Sequence, residues 1–332
     1  MNEIRHKTTV SVCMLTYNHE KYISQAIESV ISQETDFSIE IVIGEDLSTD
    51  NTRKICEDYQ RKYPEKIKLL SRESNLGVIR NSIETLKSCE GKYTAICEGD
   101  DYWTDKLKLQ KQVDFLEKNL DYGLVHTDCT NVDETDRLLI KYEPKFTENN
   151  KNGDVFNLFL QKKYSIASLT VLFRTQLFKN FEKELASLEL KMTDLPMWLE
   201  FSKKMKVKYL DEATSAYRHL QNSASHSDNV EKIINFKLNS LLIREYFADK
   251  YHVKIHTNKE KSKIYSNILR DCYFFNNNVA LNYYFKMLKY NVLSIFNPRP
   301  LLFLLGCKYQ FFKNIITKIQ NSNSNFLKRH FT

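Results

Sequence analysis

The chain has 332 residues and a mass of 39.3 kDa, with 42% hydrophobic and 27% charged residues and a formal charge of +7. Seven glycines and five prolines exclude collagen-like, linker-like and low-complexity compositions, and the length suits one large or two modest globular domains. The longest uninterrupted apolar stretch, Leu301 to Leu305, is far short of the roughly 18 to 20 apolar residues that a membrane-spanning helix needs.

The opening MNEIRHKTTVSVCMLTYN turns polar after a short apolar run and has no small-residue cleavage site. It is read as a first strand and not a signal peptide, which places the chain in the cytoplasm as an expectation. Seven cysteines, at 13, 56, 89, 97, 129, 272 and 307, are odd in number, scattered and free of C-x-x-C spacing, the pattern of reduced core thiols. Charge is unevenly divided. Residues 231 to 332 hold 17 Lys+Arg against 5 Asp+Glu, while residues 1 to 230 hold 32 against 37.

In chain order, short apolar runs alternate with helical spacing: VSVCML, IEIVIG, KIKLL, KYTAIC and YGLVH are separated by segments such as Tyr22, Ile23, Ala26, Ile27, Val30 and Ile31, or Leu107, Leu109, Val113, Phe115 and Leu116. Strands without polar alternation, separated by helical segments, predict a parallel sheet covered on both faces, so residues 8 to 130 read as a nucleotide-binding half. Residues 131 to 192 are less regular, with one clear strand, ASLTVLF. Thr193-Asp194-Leu195-Pro196 then leads into the helical WLEFSKKMK, the strand VKYLD and the segment Tyr217-Arg218-His219. Beyond Ser227 the pattern is helical and rich in Asn, Lys and Tyr. The expected organisation is a unit over 1–228, with halves 8–130 and 131–228, and a basic helical region over 229–332. The predicted class is α/β: a Rossmann-like mixed, mainly parallel sheet flanked by helices, with a mainly helical C-terminal extension.

Ligands of such sheets bind beyond the carboxyl ends of the strands. There the sequence gathers polar residues: Thr16-Tyr17-Asn18-His19, then Glu45-Asp46-Leu47-Ser48, then Glu98-Gly99-Asp100-Asp101. Three carboxylates in four residues repel one another and are eased by a cation among their oxygens. Mg²⁺ or Mn²⁺ fits, since such an ion takes one or two carboxylates and completes its shell with water and substrate phosphate. Capping of the helix that starts near Asp105 is the alternative. Glu45 and Asp46 could accept from a nucleobase imide or ribose hydroxyl, or from backbone N–H groups. Tyr102 and Trp103 are read as packing residues.

In order and interval these motifs resemble the family 2 glycosyltransferases of the GT-A fold, over roughly residues 8 to 226. TYNHEKYISQAIESVISQ is similar to the family's first strand and helix, IVIGEDLSTDNT to its Asp-Asp-Gly-Ser-Thr-Asp segment, SNLGVIRNS to its Asn-Leu-Gly turn, and ICEGDDYWTDKLKLQ to its Asp-x-Asp region. The resemblance implies that Thr16, Tyr17 and Asn18 line a base pocket and that Asp46 bonds the pyrimidine ring. It implies further that Arg80 lies near the diphosphate, that Asp100 approaches ribose and metal, and that Asp101 holds the metal. Asp194, in its Thr-Asp-Leu-Pro context, is similar to the family's later acidic motif and is implied as the catalytic base; as an anion it also suits the first turn of a helix. The chain departs from the pattern at Glu45, where Asp is commoner, at Leu47, where a small residue is usual, and at Leu220, where many relatives have the histidine that here stands at 219.

The resemblance therefore implies a metal-dependent, inverting glycosyltransferase. It would move a sugar from a nucleoside-diphosphate donor, expected to be UDP-linked, to a glycan or lipid-linked acceptor in surface polysaccharide biosynthesis. A non-catalytic nucleotide-sugar binder is the alternative. Nucleic acid is not an expected partner, for the first 230 residues are acidic and no reading motif is present. A dehydrogenase is disfavoured by the lack of G-x-G-x-x-G after the first strand. The basic, aromatic tail suits either peripheral contact with the inner face of the cell membrane or a helical subdomain packed on the core.

Overall fold

In a computed structural model of the chain, the described residues are 9–140, 152–220, 230–255, 257–274, 280–291 and 298–308. The chain divides into two compact units, Met1–Gln221 and Asn222–Thr332.

The first unit is built on a nine-stranded mixed sheet. Strands β1 (Val10–Thr16), β2 (Ile39–Glu45), β3 (Ile67–Ser71) and β4 (Tyr93–Ile96) alternate with helices α1 (Ile23–Ile31), α2 (Thr52–Lys62) and α3 (Val78–Lys87). They form the parallel half in the order β3-β2-β1-β4, with Val10 of β1 aligned to Ile39 on one side and Tyr93 on the other. Alternation of strand and helix forces this arrangement, because a parallel neighbour is reached only by a crossover. Val10, Val12 and Met14 are fully buried, and Cys13 nearly so, as expected where helices cover both faces. Ile23, Ala26, Ile27 and Val30 give α1 its buried stripe, and Gly44 lets α3 lie directly on β2, since a Cβ there would sit 2.0 Å from Thr85 Oγ1.

After β4 the sheet turns mixed. A two-residue strand β5 (Tyr102–Trp103) precedes α4 (Lys108–Lys118), β6 (Tyr122–Val132), β7 (Leu138–Ile140) and α5 (Phe156–Leu160). Then follow β8 (Val171–Arg174), α6 (Thr175–Ser187), α7 (Asp194–Lys204) and β9 (Lys206–Arg218). The full order is β3-β2-β1-β4-β8-β6-β9-β5, with β7 on β6.

Two segments differ from their sequence reading. ASLTVLF holds a 3₁₀ turn at Ser168–Thr170 before the short β8, which lies antiparallel between β4 and β6. VKYLD and the Tyr-Arg segment are one strand, β9, whose pairing with β6 shifts register between His126 and Asp128 and again between Asp128 and Cys129. The polar Asp211-Glu212 step hid that continuity. Cys13, Cys56, Cys89 and Cys97 are free and buried, and Cys129 is buried as well.

In the second unit, α8 (Val230–Lys250), α9 (Asn258–Phe274), α10 (Ala280–Tyr290) and α11 (Pro298–Lys308) surround an apolar cluster of Leu241, Ile264, Tyr265, Ile268, Leu269, Tyr284 and Met287. Among the described residues no helix is long and apolar enough to cross a membrane.

Candidate active site

The carboxyl ends of β1, β2 and β4 meet at one corner. The Asp46 amide donates to the Thr16 carbonyl at 3.1 Å, and the Gly99 amide to the Leu15 carbonyl at 2.8 Å. Gly99 is required by this close approach, because a Cβ would lie 2.7 Å from Thr16 Oγ1. His19 closes the gap: its Nδ1 is 3.3 Å from Thr16 Oγ1 and its Nε2 is 3.9 Å from Asp100 Oδ2.

Asn18 and Asp46 organise the neighbouring loops. Asn18 adopts φ 57°, receives bonds from the Thr49 amide at 2.8 Å and hydroxyl at 3.2 Å, and donates its own amide to Ser48 Oγ at 3.0 Å. Buried Asp46 accepts from the Leu76 and Gly77 amides at 2.7 and 2.9 Å. Gly77 holds φ 77°, a conformation that favours glycine. The Asp46 carboxylate thus fixes the turn before α3 through backbone donors. Tyr17 stands 43% exposed beside it. Arg80 is exposed on the first turn of α3, with no ion pair among the described residues.

Glu45 explains one departure from the family pattern. Its longer side chain takes the Ser48 amide on Oε1 and Arg53 Nε on Oε2, both at 2.6 Å, and spans a loop in which Leu47 is held at φ 60°.

The acidic turn is the electrostatic centre of the corner. Asp101 is buried, and its Oδ1 accepts from the Arg218 amide at 2.8 Å. Arg218 is itself buried; its Nε donates to the Asp100 carbonyl at 2.8 Å and its Nη2 to Gln25 Oε1 at 2.7 Å. Its Nη1 lies 2.8 Å from Asp136 Oδ1, and the guanidinium packs over Tyr22 and Tyr102. Burial, then Asp100 and Glu98, push the Asp101 carboxyl well above the usual range, against the opposing pull of Arg218. Glu98 is pushed up to about 8 by burial, then by Asp100 and Asp194. The last of these causes places Asp194 within electrostatic reach of the turn. Asp194 is the first residue of α7, and the preceding Thr193 hydroxyl is 3.2 Å from Ser82 Oγ on α3.

Helix capping does not account for the acidic turn. Asp105, closer to α4, takes the Leu107 amide at 2.9 Å in the turn that leads into the helix and pairs with Lys111 at 2.8 Å, while the bonds of the acidic turn go to Arg218 and not to α4. Trp103 is a packing residue, as its sequence suggested: it is buried, and its Nε1 donates to the Leu169 carbonyl at 2.9 Å.

Among the described residues no three acidic, imidazole or thiol side chains converge as a closed metal cage. A site of one or two carboxylates completed by water and phosphate asks for less, and the turn meets that requirement. Glu98 Oε2 is buried with no hydrogen-bond partner, the Glu98 and Asp101 carboxyls are raised by burial first and then by neighbouring carboxylates, and Asp100 keeps an open face. Asp100 and Glu98 are the residues that could face an ion, with Asp101 turned towards Arg218.

Of the residues expected from the sequence, Thr16, Asn18, Asp46, Asp100 and Asp101 are bonded into this corner, Asp194 lies within electrostatic reach of it, and Tyr17 and Arg80 are exposed on the adjoining loop and helix. Sequence reasoning assigned no role to His19, Arg218 or Ser82, whose partners are distant in sequence, and it counted Glu98 without assigning it. The signal for Arg218 was the Tyr217-Arg218 pair that closes the segment after VKYLD.

The description Glycosyl transferase family 2 matches residues 11–178, and with the sheet order and the strand-end carboxylates in place the chain belongs to that family. It is 42% identical over 110 residues to an uncharacterized protein of Mycobacterium tuberculosis, covering 33% of this chain and 32% of that one; the chain thus spans about a third of that relative's length. It is 29% identical over 226 residues to TuaG of Bacillus subtilis, a glycosyltransferase ascribed to teichuronic acid biosynthesis, covering 66% of this chain and 82% of TuaG. Staphylococcus aureus TarS 1–349 in complex with UDP-GlcNAc shares the fold at 19% identity, with TM-score 0.56 and coverage of 88% of this chain and 89% of that one. A mannosyltransferase from Pyrobaculum calidifontis in complex with GDP-Man and Mn²⁺ does so at 12% identity and TM-score 0.52, over 91% and 86%.

Proposed function

We propose that this chain is an inverting, metal-dependent glycosyltransferase. It transfers a sugar from a nucleoside-diphosphate donor, UDP-linked, to a glycan or lipid-linked acceptor in surface polysaccharide biosynthesis, at the inner face of the cell membrane. The observation that carries the reading is the crowding of Glu98, Asp100 and Asp101 at the end of β4, where Glu98 Oε2 is buried without a hydrogen-bond partner and feels the charge of Asp194. One side of the corner suits a diphosphate with its ion, and the other suits the hydroxyl that displaces it. The teichuronic acid relative and the UDP-GlcNAc complex of TarS support the donor class and the setting.

In this reading Tyr17, Asn18 and Thr16 frame the base, with Asp46 setting the loop against which it rests. Arg80 extends a cation towards the diphosphate. Mg²⁺ or Mn²⁺, faced by Asp100 and backed by the anchored Asp101, would neutralise charge growing on the leaving diphosphate, an effect of several kcal/mol. Asp194 accepts the proton of the acceptor hydroxyl as its oxygen bonds to the anomeric carbon. The bond from that carbon to the diphosphate oxygen breaks on the opposite side, which inverts configuration without a covalent enzyme intermediate. A positioned base of this kind contributes about 10² to 10⁴ in rate.

The test is a panel of nucleotide sugars with Mn²⁺ or Mg²⁺, read by thermal protection and by release of nucleoside diphosphate. One donor should protect and turn over. Asp194→Asn should keep the protection and lose turnover by about 10² to 10⁴. Protection without turnover in the native chain, across all donors and acceptors offered, would instead indicate a nucleotide-sugar binder.

A further inference from the structure

The second unit carries a face that its own core does not use. On α10, Tyr284 and Met287 are buried against Ile264, Tyr265, Ile268 and Leu269. The opposite side presents Leu281 at 55% and Phe285 at 60% exposure. Four residues further on stands exposed Lys289, and Asn282 and Lys286 complete the outer arc. Spacings of four place Leu281, Phe285 and Lys289 in one row, so an apolar strip runs beside two exposed lysines. Lys286 lies over the Tyr283 ring at 5.4 Å, which leaves its charge uncancelled; no carboxylate occurs in the α10 sequence ALNYYFKMLKY.

Charge selects the occupant. Residues 231 to 332 hold 17 Lys+Arg against 5 Asp+Glu, so a polyanionic surface complements the unit as a whole. A strip of Leu and Phe flanked by lysine is the pattern of a helix lying in a membrane interface, with its apolar side among acyl chains and its cations at the headgroups. A protein groove would match the apolar strip but would not need the excess of positive charge around it.

We infer that the Leu281, Phe285, Lys286 and Lys289 face of α10 docks on an anionic lipid bilayer. This deepens the membrane-side setting given above, yet it rests on residues of the second unit alone. The two lysines supply attraction that salt screens, and the two apolar side chains supply insertion that salt does not screen.

Co-sedimentation of the full chain with vesicles tests it, comparing phosphatidylcholine containing phosphatidylglycerol with pure phosphatidylcholine. Binding is expected to the anionic vesicles only, weakening as salt rises. A lysine near such a surface is worth about 1 kcal/mol, so Lys286→Gln and Lys289→Gln should each weaken binding about fivefold. Leu281→Ser with Phe285→Ser should abolish the part that persists at high salt. Lys286 and Lys289 are polar already and all four positions are exposed, so unfolding is not expected; circular dichroism checks each variant. Equal binding to neutral vesicles, no binding to either, or unchanged binding in the variants would overturn the inference. So would a dimer that the Leu281→Ser, Phe285→Ser chain no longer forms, which would assign the face to a second copy. Donor-dependent thermal protection, measured on the same proteins, reports separately on the transferase reading: it should be unchanged by these substitutions.

Discussion

The backbone amide of Arg218 donates to Asp101 Oδ1 at 2.8 Å across 117 residues of chain. With Arg218 Nε on the Asp100 carbonyl, the last residue of β9 and the acidic turn form one rigid assembly. The short β5 adds two ladder pairings to the same junction, Tyr102 with Ala216 and Trp103 with Ser215. Removing a buried cation's side chain from such a junction strands the groups it satisfied.

Arg218→Met is therefore expected to destabilise the first unit by about 3 kcal/mol, read as a lower urea midpoint with an unchanged m-value. Arg218→Lys should recover little, because one ammonium cannot reach Asp136, Gln25 and the Asp100 carbonyl together. A lysine variant as stable as the parent would show that the fork is not needed.

Gly99→Ala should cost about 1 to 3 kcal/mol through overpacking, since the new Cβ meets Thr16 Oγ1 at 2.7 Å and Thr16 Cβ at 2.8 Å. It should also displace Asp100 and weaken divalent-dependent donor protection more than it lowers stability without donor. Parallel thermal scans, with and without donor and Mn²⁺, separate the two effects.

Asp100→Asn removes the carboxylate with the open face and should abolish the dependence of donor protection on Mn²⁺, while the apo protein keeps its melting temperature or gains slightly from relief of repulsion. A Mn²⁺ titration that is unaltered in the variant would transfer the ion to other residues.

Lys108 gives a pH signature. It is fully buried, lies 4.4 Å over the Trp103 ring and donates to Gln112 Oε1 at 2.9 Å. Burial pushes its ammonium down from 10.5 to about 7. Between those values the unfolded chain binds one more proton than the folded chain, so this group makes stability rise with pH, by about 1.4 kcal/mol per unit. Below about pH 7 both states are charged and the slope vanishes. Lys108→Met should be more stable than the parent near pH 7, with the difference shrinking towards pH 10; a pH-independent difference would mean that the lysine is charged throughout.

The parallel half and its strand-end loops were readable because both depend on local pattern. Apolar runs such as VSVCML pack by burial on two faces, and crossover connections leave few ways to order them. The same logic placed Thr16, Asp46 and Asp100 on strand exits. Asp194 could be set before a helix, but its electrostatic reach to Glu98 arises from the packing of α7 against α6, β6 and β9, with the Thr193 hydroxyl meeting Ser82 of α3.

Local pattern sets most of the strands and helices of the parallel half, where the acidic turn falls, and that the positive charge gathers after residue 230. Packing between distant segments turns Asp101 inward to Arg218 while Asp100 keeps an open face, commits the Asp46 oxygens to the amides of Leu76 and Gly77, and leaves Glu98 Oε2 without a partner. The reason is physical: periodicity encodes what one segment buries, whereas the state of a carboxylate depends on donors and charges that distant segments bring to it.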